Sequence, residues 1–281
     1  TKSVKDLARL SLNRPEYVAV HDKHATATPD KLSQHYCVIP LNAKLDVLFS
    51  FIKSHLKSKA IVFFATASQV KFVFECFRGL QPGVPLMCLH GKHKQARRTS
   101  TYLDFLNKPA AFLFATDIAA RGLDFPAVDW VIQADAPEDS AMYIHRVGRT
   151  ARYNKTGRSL MFLLPNEEKP MLKVLTDAKV TAKKLSMNPK KRVSVSQRAG
   201  NLVAANPEVK RLATKAYMSY IRSVHLMTNR DVFQVSELPL AAFATSMGLA
   251  TTPNLKFLTQ ADLNGSKVEE EEDEDEEEDR S

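Results

Sequence analysis

Two stretches constrain this chain more than any others. Ala60-Ile61-Val62-Phe63-Phe64-Ala65 and Ala110-Ala111-Phe112-Leu113-Phe114-Ala115 are unbroken apolar runs, closed by Lys59 and Thr66 in one case and by Pro109 and Thr116 in the other. A run that short, without polar alternation, reads as a strand covered on both faces, the environment of a parallel sheet. Trp130-Val131-Ile132-Gln133 and Ser159-Leu160-Met161-Phe162-Leu163-Leu164 repeat the pattern, with His35–Ile39 and Pro85–Leu89 as shorter versions. The segments between them have helical spacing. Leu45, Leu48, Phe49 and Ile52 recur over 44–55, and Val70, Phe74 and Phe77 over 68–79. Tyr102, Leu103, Phe105 and Leu106 recur over 94–106, and further helices are expected over 141–152 and 167–178. Strands alternating with helices of this length give an α/β fold with a mostly parallel sheet and helices on both faces. Ligands of such sheets bind beyond the C-terminal ends of the strands. That directs attention to 65–69, 90–98, 116–124, 134–140 and the helix over 141–152.

The flanks are of different character. Residues 1–34 read as the end of something preceding, followed by a polar linker, and the missing initial Met suggests a portion of a longer chain. Residues 35–179 carry the α/β alternation. Residues 180–261 are basic and mainly helical: Leu212, Ala216, Tyr220, Val224 and Met227 share one side of a helix from Pro207 to Met227, and Leu238, Leu240, Phe243 and Met247 suggest another. This part is thin for a core of its own and is expected to pack on the α/β body. Residues 262–281 should be disordered, because 269–279 are all Glu or Asp. Without that run, 20 carboxylates face 39 Lys and Arg over residues 1–268, a balance that favours a polyanionic partner. Cys37, Cys76 and Cys88 stand singly, with neither disulfide nor metal spacing. No apolar stretch approaches the roughly 20 residues needed to span a bilayer.

Three segments carry candidate chemistry. In His145-Arg146-Val147-Gly148-Arg149-Thr150-Ala151-Arg152, arginines recur every three residues and can share one helix face. Such a cationic claw suits a phosphate chain, because each guanidinium offers a rigid donor fork. Thr116 to Asp124 follows a buried strand and holds Asp117, Arg121, Gly122 and Asp124, which serve either a ligand loop or a capped turn with a surface ion pair. Leu89 to Arg98 leaves another strand with Lys92, Lys94, Arg97 and Arg98, suited to a nucleic-acid backbone or simply to solvent. No G-x-x-x-x-G-K-[ST] loop occurs, no carboxylate pair stands ready for Mg2+, and His90 and His93 lack partners for zinc. A claw without a phosphate cradle is half of an active site, the other half coming from another domain or chain.

With these residues in view, the chain resembles the second RecA-like domain of the DEAD-box RNA helicases over roughly 35–178. Residues 116–124 and 145–152 resemble the family's fifth and sixth motifs, Ile61-Val62-Phe63-Phe64 its fourth, and Gln95 with Arg98 its Q-x-x-R element. The resemblance implies a RecA-like sheet, with residues 1–34 as the end of the first domain and the linker. It implies Arg149 and Arg152 as arginine fingers on ATP and His145 as a group coupling that site to the first domain. It also implies Asp124 on the ribose, and Phe64, Gln95, Arg98, Thr116, Gly122 and Arg146 along the RNA. Asp117 and Arg121 would connect the two faces. ATP with Mg2+ is the implied cofactor, the metal ligands lying in the other domain. Ala151 stands where many relatives carry Gly, a change expected to matter little in a helical context.

The segments 12–51, 188–191, 193–198 and 217–258 are similar to a nucleolar subgroup of this family that acts on the small-subunit ribosomal RNA precursor. That likeness implies a nuclear and nucleolar location, with pre-ribosomal RNA, small nucleolar RNA and pre-ribosomal assembly proteins as partners and no membrane. The expected function is the C-terminal half of an ATP-dependent RNA helicase that remodels RNA or RNA–protein complexes in ribosome biogenesis. The alternative is a stand-alone RNA-binding or interaction module without an ATP role.

Overall fold

The computed structural model describes residues 27–29, 31–117, 125, 128–151, 156–186, 192–259 and 262. Most of the N-terminal flank and nearly all of the acidic tail lie outside the described residues. Within them, seven strands form one sheet: β1 Leu32–Val38, β2 Lys59–Phe63, β3 Leu86–Leu89, β4 Ala111–Ala115, β5 Trp130–Gln133, β6 Gly157–Leu163 and β7 Lys183–Lys184. Their order is β3-β4-β2-β5-β6-β1-β7 and every pairing is parallel. The helices α1 Lys44–Ser54, α2 Ala67–Leu80, α3 Gln95–Asn107, α4 Ser140–Val147 and α5 Glu168–Asp177 alternate with them. The extension supplies α6 Ser196–Ala205, α7 Pro207–Leu226 and α8 Leu240–Ser246.

The apolar runs behave as expected of doubly covered strands. In β2, Ala60 and Val62 join the cluster formed with α1, α2 and the extension, while Ile61 and Phe63 join Phe105 of α3 on the other face. The period of two along a strand divides one apolar run between two cores. Chain order sets the crevice. From β2 the chain moves through α2 toward β3, whereas from β5 it moves through α4 toward β6. β2 and β5 are neighbours, so the connections diverge at their C-terminal ends, where α/β sheets bind ligands.

The extension shares the core of the sheet. Tyr217, Tyr220 and Ile221 of α7 belong to the same apolar cluster as Phe72, Val73 and Phe77 of α2. Polar contacts add to this: Thr66 Oγ1 lies 2.9 Å from Ser219 Oγ, and Val195 N–H donates to Asp46 Oδ1 at 2.8 Å. The described residues after α5 add a strand to the helices expected there. β7 pairs with β1 and extends the sheet past residue 179, and α6 starts at Ser196. Asn206 caps α7 by accepting from Glu208 and Val209 N–H, with Pro207 at the first helical position.

One expectation fails. The helix expected over 141–152 ends at Val147, where Gly148 donates to Ile144 O at 2.9 Å. Thr150 then pairs with Val128 as an isolated parallel bridge, its hydroxyl donating to Val128 O. Arg146 and Arg149 therefore do not share a helix face. A free i, i+3 spacing cannot persist once the backbone turns to bond a neighbouring segment. Gly157 fixes this path, since a Cβ there would run into the Thr150 hydroxyl and the Ala151 amide. Ala151 has φ 53°, so it occupies left-handed rather than helical backbone. A Cβ in that region costs roughly 1–2 kcal/mol. Ala151→Gly is accordingly expected to stabilise the fold by about 0.5–1 kcal/mol after the extra unfolded-state freedom of glycine is counted. Urea denaturation would show an unchanged or lower midpoint if the residue were helical.

Candidate functional site

The site grows from the ends of β2, β4 and β5. β4 stops at Ala115, and Thr116 and Asp117 carry the chain over the edge of the sheet; Thr116 is buried and Asp117 half-buried. β5 stops at Gln133 and leads through Ala134 and Asp135, which are also buried. Asp139 then caps α4 by accepting from Met142 N–H at 2.6 Å, which starts the helix close to the sheet edge. Tyr143 and Val147 turn inward, and Tyr143 Oη donates to Gln34 Oε1 at 3.0 Å.

Arg146 sits on the same inward face and is 2 % exposed. Its Nε and Nη2 donate to the two carboxylate oxygens of Asp117, each at 2.7 Å. Its Nη1 donates to Asp135 O at 2.8 Å and to Gln133 Oε1 at 3.3 Å. The guanidinium carbon lies 5.5 Å from the centre of the Phe63 ring. A buried cation needs this many partners, and a fork-to-fork pair fixes direction as well as distance. Arg146 thus acts as a bolt tying the ends of β4 and β5 to α4, with its guanidinium buried among Asp117, Gln133 and Asp135. The turn that follows inherits its position. Arg149 N–H donates to Arg146 O at 3.1 Å, and Arg149 O accepts from Val128 N–H at 3.3 Å, so the half-buried Arg149 belongs to a turn whose backbone is bonded to the segment just before β5. His145 is exposed in the last turn of α4.

The remaining expected residues divide into three groups. Gln95 and Arg98 share the first turn of α3, where Arg98 Nη1 donates to Gln95 Oε1 at 3.3 Å. Phe64 follows β2, is 4 % exposed and packs edge-on to Phe114 at 5.9 Å, so it can shape this surface only from beneath. Arg121, Gly122, Asp124 and Arg152 lie outside the described residues. Cys37 and Cys76 are inert by burial, which pushes both thiols up to about 12. Among the described residues, no group of three or more His, Cys, Asp or Glu is placed to hold a metal ion.

A second buried network went unforeseen. Lys44, at the start of α1, donates to Asp135 Oδ1 at 2.7 Å. The other oxygen of Asp135 accepts from Ala65 N–H and Gln69 Nε2, both at 3.0 Å. Asp135 therefore clamps the crevice between β2 and β5 while its carbonyl holds Arg146. Lys44 also lies 5.1 Å from the ring centre of Tyr220 in the extension. Burial alone would lower the Lys44 pKa, but Asp135, Tyr220 and Glu167 outweigh it and hold the ammonium above the usual lysine range. Burial raises Glu167, against the opposing pull of Lys44 and of Leu164 N–H. Contacts thus run without a gap from Tyr220 through Lys44 and Asp135 to Arg146 and Asp117. The sequence signal was thin: Lys44 and Asp135 are isolated charges beside apolar segments, 91 residues apart.

Comparison with known proteins shows what the chain is similar to. Residues 43–154 match the family described as "Helicase conserved C-terminal domain", and residues 206–255 match "ATP-dependent rRNA helicase SPB4-like, C-terminal extension". The chain is 53 % identical over 267 residues to "ATP-dependent RNA helicase dbp4" of Aspergillus niger, covering 95 % of this chain and 33 % of that protein. It is 54 % identical over 258 residues to "Probable ATP-dependent RNA helicase DDX10" of Gallus gallus, covering 92 % and 30 %. The chain therefore spans about a third of the length of these relatives. Among solved structures, Mss116p bound to ssRNA and AMP-PNP superposes with a TM-score of 0.73 at 26 % identity, over 89 % of this chain and 51 % of that one. Mss116p DEAD-box helicase domain 2 bound to an RNA duplex gives 0.64 at 25 %, over 78 % and 87 %.

Proposed function

Because this chain belongs to the DEAD-box RNA helicases, as their helicase C-terminal domain with an SPB4-like extension, we propose that it is the closing half of an RNA-stimulated ATPase that remodels RNA. The observation that carries this is the bolt at Arg146. Three groups from two strand ends hold one buried guanidinium, the turn after it carries Arg149, and the sequence holds no G-x-x-x-x-G-K-[ST] motif. The residues present fit the donor side of a nucleotide site and not its cradle. Arg149, with Arg152 and Asp124, would hold the phosphates and ribose of ATP bound to the other RecA-like domain, which would also supply the Mg2+ ligands. Bound ATP supplies the phosphoanhydride bond whose cleavage makes the cycle directional.

The rest falls to residues of this chain. Arg149 and Arg152 place fixed positive charge where negative charge grows on the phosphoryl oxygens, a form of stabilisation that needs no reorganisation. His145, exposed at the end of α4, faces the partner domain and couples its carboxylates to the turn. Asp117 receives the fork of Arg146 and stands next to Thr116, so a shift of the RNA-side loop moves the arginine turn with it. Gln95, Arg98, Thr116 and Gly122 would contact the RNA backbone without reading bases, which suits remodelling of many sequences. Similarity to relatives described as rRNA and RNA helicases supports a place in ribosome biogenesis, with pre-ribosomal RNA, small nucleolar RNA and assembly proteins as partners and the nucleolus as the location.

Purified residues 1–281 are expected to hydrolyse ATP negligibly with or without RNA, and turnover should appear once the chain is joined to a phosphate-loop domain. Robust hydrolysis by the chain alone would overturn the half-site reading.

A further inference from the structure

Beside the first turn of α3, a cleft of about 300 Å³ opens between α2, the end of β3 and the start of α7. Its cations come from separate elements: Lys71 from α2, Lys92 from the loop after β3, Arg97 from α3 and Arg211 from α7. Its two carboxylates are already engaged, Glu75 by Arg78 at 2.5 Å and Glu208 by Arg211. His90 and His93 lie at its floor, their rings 3.7 Å apart, and His90 is 2 % exposed. The Nδ1 atoms of both rings are buried with no hydrogen-bond partner among the described residues. A buried polar atom without a partner costs roughly 1–3 kcal/mol, so two together in a cationic cleft point to a missing ligand.

The electrostatics give the sign of that ligand. Burial first, then His93, Lys71 and Arg97, push the His90 pKa down to about 4; burial, Arg97 and Lys71 lower that of His93. Both rings are neutral at neutral pH and each can donate one N–H. Neutral N–H donors among cations suit an anion, and the surrounding lysine and arginine charges repel a metal ion. The position narrows the choice. Arg97 and Arg98 are adjacent on α3, so their side chains diverge by about 100° around the helix. Arg98 pairs with Gln95, while Arg97 lines the cleft.

We propose that this cleft takes a backbone phosphate of the RNA strand that crosses Gln95 and Arg98, making α7 of the extension one wall of the RNA path. The inference rests on the RNA-remodelling reading. It adds that the extension contacts RNA itself, through a site built jointly with the sheet domain. RNA is favoured over an acidic protein segment because the cleft adjoins Gln95 and Arg98 on α3, where the proposed function puts the RNA backbone. Arg97 offers the planar fork that phosphate oxygens accept, while Arg211, paired with Glu208, lines the wall contributed by α7.

The test uses residues 1–281 and a labelled single-stranded oligoribonucleotide, with affinity measured by anisotropy over a salt series. Lys71→Gln with Arg97→Gln is expected to weaken binding several-fold and to lower the salt slope by about 0.7 for each phosphate no longer neutralised. RNA should also shift the imidazole resonances of His90 and His93 in the wild type and not in the double variant. Arg98→Ala, in the same assay, reports on the main path. If Arg98→Ala weakens binding while the double variant binds with unchanged affinity and slope, the cleft inference fails and the RNA reading stands. If neither substitution alters affinity, the RNA reading itself fails. If a poly-glutamate peptide shifts the two histidines and RNA does not, the cleft is a protein-docking site and the inference is overturned. Lys71 is half-buried and Arg97 exposed, so the variants should fold, which circular dichroism would verify.

Discussion

Lys44→Met is expected to destabilise the chain by about 3–5 kcal/mol, the usual result of removing one partner from a buried ion pair. Met keeps most of the side-chain volume, so packing against Tyr220 survives and the loss is electrostatic. Asp135 would keep its bonds from Ala65 N–H and Gln69 Nε2 but lose the ammonium at 2.7 Å. Glu167, whose pKa burial already raises, would lose the cation that opposes that rise. The sign with pH follows. Glu167, whose folded pKa is raised, binds a proton more readily folded than unfolded, so the stability of the variant should recover as pH falls from 7 toward its unfolded value of about 4. The wild type should show a smaller recovery, because Lys44 holds back the rise at Glu167. Urea titrations of both proteins at pH 7 and pH 5 measure the difference. A deficit below about 1 kcal/mol at pH 7 would place this pair with ordinary exposed ion pairs.

The same substitution bears on function, because Asp135 uses both ends. Its carboxylate takes Lys44, and its carbonyl takes Arg146. Loosening Lys44 therefore loosens the support of the arginine turn, and through Tyr220 that support includes the extension. The extension thus braces the site as well as enlarging the surface.

The legible part of the fold was what periodicity encodes. The runs at 60–65 and 110–115 gave β2 and β4 within a residue or two, because a strand buried on both faces has no polar residue to blur it. The helices over 44–55 and 68–79 were equally plain from their spacing. The segment 148–151 was not. Its arginine spacing fitted a helix, and only the bridge from Thr150 to Val128 ends the helix early, a contact between residues 22 apart. The same holds for the site. Gln95, Arg98 and Asp117 stood out by type and order, and the structure places the first two on one helical turn and the third against Arg146. The partners of Arg146 could not, since a buried arginine and an exposed one look alike in sequence. Arg146 read as one of three arginines of a phosphate claw, and its guanidinium is taken up by Asp117, Gln133 and Asp135 within the chain.

What most directly tests the central claim is RNA-stimulated ATP turnover by this chain joined to a phosphate-loop domain, carrying Arg149→Lys with Arg152→Lys. Lysine preserves charge but removes the planar fork, so the substitution isolates geometry from net electrostatics. Turnover is expected to fall by about 10³-fold or more, the usual contribution of an arginine finger, while RNA affinity stays within about two-fold. That pattern would place the two guanidiniums at the transferring phosphate and nowhere on the RNA path. Turnover unchanged by the double substitution would contradict it, and the turn anchored by Arg146 would then be no part of an ATPase site.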